Sequence, residues 1–292
     1  MASKPLLALW LLGGCAAEHT APDAWPSQGC TTSQSDPGYT RERSWTVTAA
    51  GTSIAVSARF ARGCQPAVLL TPGGLQPGLS LLTSPLAEAL ADAGIAVYSW
   101  DPPGRGQSDG EDDANGAQGQ DDLAGVLRWI AAAESVDPGA VALYTRSFGA
   151  ALGAGALARH PDLRPHRWID YEGPGWLEED LAAAQASPRD QFQALADASE
   201  DPDAWFDDRS PARWVNQTTT PYHRLQGLPD HALGPRVAHA AAMLAGGTDP
   251  HFNGQPAPMP ADEEWIQAQA IPGGLSYDGA DAIPIVRDAL GW

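Results

Sequence analysis

Ser147 lies in the run Thr145-Arg146-Ser147-Phe148-Gly149. The six residues before the turn, 140–145, are apolar or aromatic apart from Thr145 and predict a short buried strand. The residues after it, through His160, are mostly Ala, Gly and Leu and predict a helix. A strand that ends on a serine and turns at once into a helix lifts the hydroxyl above the strand ends. It also leaves the Phe148 N–H free at a helix N-terminus, where it can face a developing oxyanion. The chemistry this permits is nucleophilic catalysis by a hydroxyl. That hydroxyl needs a base, normally a histidine oriented by a buried carboxylate. Seven histidines and 36 acidic residues are available. The competing reading of Ser147 is an ordinary helix N-cap.

The elements that must position this serine follow a regular rhythm. Residues 67–71 form a continuous apolar strand that runs into Pro72-Gly73-Gly74-Leu75-Gln76-Pro77-Gly78, a turn-rich loop. An amphipathic helix over 79–94 and a buried strand over 95–100 come next. Then comes Asp101-Pro102-Pro103-Gly104-Arg105-Gly106-Gln107-Ser108. A helix over 121–133 leads to the Ser147 strand, and residues 166–172 form the following strand, closed by Gly173-Pro174-Gly175. Strands alternating with helices at this spacing predict βαβ units and a mostly parallel sheet.

The Ser147 turn resembles the G-x-S-x-G elbow of the α/β-hydrolase fold, with Thr145 where the first glycine is usual. Residues 101–108 resemble the D-x-x-G-x-G-x-S loop of many of its members. The two motifs lie about forty residues apart with a helix and a strand between them. The resemblance implies an α/β-hydrolase-like sheet with helices on both faces, and oxyanion donors at Phe148 and at Gly74 or Leu75. Asp101 and Arg105 read as structural members of their loop. Residues 176–219 are acidic, rich in tryptophan and helical in pieces, and resemble a small cap inserted between two sheet strands. The next strand is 221–227, and Gly227-Leu228-Pro229-Asp230 matches the family's G-x-x-D, which makes Asp230 the expected triad acid. Glu172 is the alternative acid, since some members carry it after the preceding strand. In the family order of Ser, Asp, His the expected base is His251, in the segment 246–254 that carries the last strand, provided it falls after that strand. His231 is the alternative base.

The N-terminus carries a positive charge at Lys4, an apolar run over 5–12, and Leu12-Gly13-Gly14-Cys15. The run is too short to span a bilayer as a mature helix, which favours an export signal. Its last four residues resemble a bacterial lipoprotein signal. Residues 1–15 are therefore expected to be a signal peptide, with Cys15 the lipidated first mature residue anchoring the exported protein to a membrane. A plain signal peptide is the competing reading. Residues 16–40 read as a flexible tether, and 41–292 as the α/β-hydrolase domain with its cap. With Cys15 lipidated, Cys30 and Cys64 remain, and an oxidising compartment favours one disulfide between them.

The formal charge of −19 argues against nucleic acid and anionic surfaces as partners. No clustered metal-ligand spacing and no dinucleotide fingerprint occurs, so neither metal nor organic cofactor is expected. The expected function is an exported serine hydrolase that cleaves a small-molecule ester, or less favourably an amide or peptide. The alternative is a non-catalytic binding lipoprotein on the same fold.

Overall fold

Residues 68–70 show how the sheet is built. Val68 and Leu70 pack with one apolar cluster and Leu69 with another, because successive side chains of a strand point to opposite faces. The structure is a computed structural model describing residues 18–27, 30, 36–184, 186–276 and 279–291. In chain order the elements are β1 (Glu18–Thr20), β2 (Asp36–Ala49), β3 (Thr52–Arg62), β4 (Gln65–Thr71), α1 (Pro85–Asp92), β5 (Ala96–Trp100), α2 (Ala117–Ala131), β6 (Val136–Arg146), α3 (Gly149–Arg159) and β7 (Arg167–Tyr171). There follow α4 (Leu177–Ala183), α5 (Ala186–Asp197), α6 (Pro202–Asp208), α7 (Pro211–Trp214), β8 (Pro221–Leu225), β9 (Gly227–Leu228), α8 (Ala238–Gly246), β10 (Thr248–Phe252), β11 (Gln255–Pro256), α9 (Glu263–Gln269), β12 (Ile271–Pro272) and α10 (Ala282–Leu290).

Among the described residues ten strands form one sheet in the order β1-β2-β3-β5-β4-β6-β7-β8-β10-β11. The pairs from β5 through β4, β6, β7 and β8 to β10 are all parallel, while β2 and β3 form an antiparallel hairpin that joins β5. Strands β4 and β5 are buried along their whole length, as expected where helices cover both faces. One face packs against Leu123, Leu127, Leu152, Met243 and Ile266 of α2, α3, α8 and α9. The other packs against Leu86, Leu90, Val286 and Leu290 of α1 and α10. A smaller cluster joins Leu177, Leu181, Phe192, Trp205 and Phe206 of α4–α6 to Phe148. The fold class expected from the alternating elements is thus observed.

The N-terminal reading needs correction. Part of the expected tether is ordered: β1 pairs in parallel with β2, and β2 itself begins at Asp36 rather than in the forties. The outer edge of the hairpin presents unpaired backbone groups, and β1 satisfies some of them. Cys30 is bonded to Cys64 just past β3, as expected, which holds this segment to the hairpin. The signal peptide over 1–15 and the lipidation site at Cys15 lie outside the described residues. Among the described residues no helix is long and apolar enough to cross a membrane.

Candidate active site

Strand β6 delivers Ser147 to the carboxyl edge of the sheet. Ser147 has φ 49°, in the left-handed region, and Phe148 then caps α3. Such a turn requires small neighbours. A Cβ on Gly149 would lie 2.3 Å from the Pro72 carbonyl oxygen, so only glycine lets the loop after β4 approach the turn. Thr145 fits although glycine is usual there. Its side chain is buried, its hydroxyl accepts a hydrogen bond from Trp168 Nε1 at 2.8 Å, and Gly153 of α3 opens space for its methyl group.

The Ser147 hydroxyl lies 2.9 Å from His231 Nε2. His231 Nδ1 lies 2.7 Å from Glu172 Oε2. With Nδ1–H donating to the carboxylate, Nε2 is the free acceptor for the serine proton. Glu172 follows directly on β7 with φ 49° and is buried. Its carboxylate also accepts the Gly227 N–H at 2.8 Å and the His231 N–H at 3.3 Å. The three side chains that meet are therefore Ser147, His231 and Glu172.

Two expectations are overturned. His251 does not reach the serine, because it lies inside β10 and not beyond it. It pairs in register with His223 of β8, its ring stands 5.3 Å from the His223 ring, and its Nδ1–H donates to the Asp249 carbonyl. Asp230 is the nearer neighbour in sequence but not the carboxylate that orients the imidazole: its Oδ1 is 3.7 Å from His231 Nδ1, against 2.7 Å for Glu172. Asp230 and His231 diverge on a tight turn. Asp230 points inward, accepting the amides of Ala232 and Leu233 on one oxygen, and Gln226 Nε2 and His239 Nε2 on the other. His231 is thereby turned outward, toward Ser147. Sequence neighbours on a loop need not face each other to belong to one site.

Burial opposes ionisation of Asp230, but the His239 imidazole, the Gln226 amide and His231 outweigh it and hold the carboxyl well below its usual range. Behind Gln226 stands Arg224, fully buried. Its guanidinium bonds Gln226 Oε1 and pairs with Asp170 Oδ2 at 2.6 Å, and Tyr222 donates to the same Asp170 oxygen. Burial works against the Arg224 charge, yet Asp170, Tyr222 and Asp230 more than offset it and push its proton affinity up. Sequence reasoning did not assign Arg224, Gln226 or His239 to the site. The signal was there: an arginine in the middle of the expected strand 221–227 must find a buried partner.

A cavity of about 350 Å³ opens beside Ser147. Gly74, Leu75 and Phe148 line its base, and Leu177, Leu181 and Phe192 of α4 and α5 line its apolar wall. Asp180 also faces it, and burial raises its carboxyl above the ordinary value. Glu172, Asp230 and His231 offer ligand atoms within 4.8 Å of one another. Each already has hydrogen-bond partners, so a cation there would have to displace the contacts that orient His231.

Residues 67–169, from β4 into β7, match the family model described as serine aminopeptidase, S33. A thiohydrolase of Arthrinium phaeospermum is 33% identical over 106 residues, which is 36% of this chain and 34% of that protein. The chain thus covers about a third of that relative's length. A puromycin-hydrolyzing peptidase of Mycobacterium tuberculosis superposes with a TM-score of 0.60 at 17% identity, over 75% of this chain and 36% of that one. An acetyl xylan esterase of Paenibacillus sp. R4 superposes with a TM-score of 0.58 at 16% identity, over 76% of this chain and 79% of that one. Sheet order, serine turn and the match over 67–169 agree, and the chain has the α/β-hydrolase fold.

Proposed function

We propose that the protein is a serine hydrolase that cleaves a carboxylic ester, or a thioester by the same steps, with Ser147 as nucleophile, His231 as base and Glu172 as the orienting acid. The observation that carries this reading is the pair of contacts at 2.9 Å and 2.7 Å through the two nitrogens of His231. As Ser147 attacks the acyl carbon, its proton passes to His231 Nε2, and Glu172 stabilises the imidazolium through Nδ1–H. The N–H groups of Phe148 and of Gly74 or Leu75 hold the oxyanion. His231 then protonates the leaving group, and water repeats the sequence to free the enzyme.

The apolar wall of the cavity and the absence of a Lys or Arg among its described lining residues favour uncharged acyl groups over anionic ones. The peptidase and the esterase among the similar structures share only the fold with this chain, so the choice of ester over peptide rests on the small cavity and its apolar wall. Export as a membrane-anchored lipoprotein is part of the proposal. It is supported by Leu12-Gly13-Gly14-Cys15 and by the Cys30–Cys64 disulfide, a bond of oxidising compartments.

The test is to label the purified protein with a fluorophosphonate and assay it on p-nitrophenyl esters of increasing chain length. Ser147 should be the modified residue, and neutral acyl chains should be cleaved faster than carboxylated ones. A protein that takes no label and cleaves no ester would refute the reading.

A further inference from the structure

Asn115 is buried, with 1% of its surface exposed, in the loop between β5 and α2. It and the preceding Ala114 both have positive φ, 65° and 55°. Two consecutive non-glycine residues in this region are costly and persist only where surrounding contacts over-determine them. The contacts are specific. Asn115 Nδ2 donates to the Phe148 carbonyl at 2.9 Å and reaches the Gly74 carbonyl at 3.5 Å. Its Oδ1 is buried with no hydrogen-bond partner among the described residues. The side chain thus gives up an acceptor to keep one donor between two carbonyls, and the reverse amide orientation would set oxygen against oxygen.

Those two carbonyls belong to the segments that line the base of the cavity on either side of Ser147. In a planar trans peptide the C=O and the next N–H point in opposite directions. Holding the Gly74 carbonyl therefore aims the Leu75 N–H away from Asn115. The loop that carries Asn115 is gripped in turn from the cap. Arg209 donates to the carbonyls of Asp113 and Ala114, while Gln120 donates to those of Asn115 and Asp208.

We propose that Asn115 is a positioning residue for the oxyanion hole: its amide ties the turn at Phe148 to the Gly74–Leu75 peptide, which makes Leu75 the second donor, and Arg209 carries that register from the cap. This rests on the serine-hydrolase reading above.

The experiment compares wild type with Asn115→Gly and Asn115→Ala. Glycine adopts φ near +65° without strain, so Asn115→Gly removes the amide and leaves the backbone conformation accessible. Each protein is assayed for kcat and KM on a p-nitrophenyl ester. Each is also assayed for inhibition by a trifluoromethyl ketone of the same acyl chain, to which Ser147 adds to give a tetrahedral oxyanion, and by the product acid. For Asn115→Gly, kcat should fall about tenfold to a hundredfold, a weaker effect than outright loss of an oxyanion donor. KM and product-acid affinity should stay near wild type, and the ketone should weaken by the factor lost from kcat/KM. An active wild type with Asn115→Gly near the same kcat, or ketone affinity unchanged in it, overturns the role of Asn115 alone. A wild type inactive on every ester and blind to the ketone overturns the serine-hydrolase reading together with it.

Discussion

Ser147 and Glu172 stand at equivalent places on two neighbouring strands. Arg146 and Tyr171 are register partners in β6 and β7, and the next residue on each strand turns into the left-handed region with φ 49°. The Ser147 N–H donates to the Tyr171 carbonyl at 2.7 Å, and the Glu172 N–H donates to Leu225 on β8 at 3.0 Å. The same strand-end turn, repeated one strand over, presents hydroxyl and carboxylate side by side. His231, from the loop after β8, completes the row.

The histidine assignment is tested by two substitutions. His231→Ala should lose nearly as much activity as Ser147→Ala, on the order of 10⁶-fold in kcat, because the members act as a unit. His251→Ala, in β10 away from Ser147, should stay within about threefold of wild type, the size of an indirect effect far below that loss. Ester hydrolysis by the purified variants decides it, and an inactive His251→Ala with intact fold would reverse the assignment.

The two carboxylates should separate by what they affect. Glu172→Gln removes the charge that holds Nδ1–H and should cost on the order of 10⁴-fold in kcat. Asp230→Asn should cost far less activity and more stability, about 2 kcal/mol at pH 7 from its charged hydrogen bonds. Asp230 has a depressed value in the folded state, so its stabilisation is present above the unfolded value of about 3.9 and is lost as pH falls toward the folded one. Denaturant unfolding of wild type and Asp230→Asn at pH 7 and pH 3 should show the gap narrow at the lower pH.

Asp122 in α2 should behave in the opposite sense. Burial, with Asp113 and Asp121 nearby, raises it to about 6 against hydrogen bonds from Gln118 and Thr52. The folded state therefore binds the extra proton between about pH 4 and pH 6, and stability declines as pH rises through that window. Asp122→Asn should raise Tm at pH 8 and leave it nearly unchanged at pH 4. Thermal melts at the two pH values, with no difference between them, would contradict this.

The disulfide closes a loop with a sequence separation of 34. Chain entropy puts its contribution at about 3 to 4 kcal/mol. Cys30→Ser/Cys64→Ser together should lower the urea midpoint accordingly. An unchanged midpoint would mean that β1 and the hairpin hold the segment without it.

Membrane attachment is expected to depend on Cys15. When the chain is expressed with its own N-terminus, the wild type should fractionate with membranes and Cys15→Ala should not. Equal partitioning of the two would remove the lipoprotein reading.

The fold and the serine turn were legible because their signals are local. A buried strand, a serine and a run of small residues specify the turn at Ser147 whatever lies elsewhere, and the alternation of strands and helices specifies the parallel sheet. The glycines at 73 and 149 mark where two backbones must nearly touch. The pairing of Cys30 with Cys64 was also readable, since only these two remained once Cys15 was set aside.

The base and its acid were not local. Both Glu172 and His231 stood in the sequence as alternatives, but the resemblance to G-x-x-D and the family order of Ser, Asp, His favoured Asp230 and His251. Tertiary structure decided between them through three long-range facts. Strand β10 extends through His251 and pairs it with His223. The Arg224–Gln226–His239 network draws Asp230 inward. Register between β6 and β7 sets Glu172 beside Ser147. The sequence by itself determined which serine stands at the strand-to-helix turn, because a turn is set by its own few residues. Which histidine and which carboxylate serve it depended on where loops 59 and 84 residues apart in the chain come together, and only packing fixes that distance.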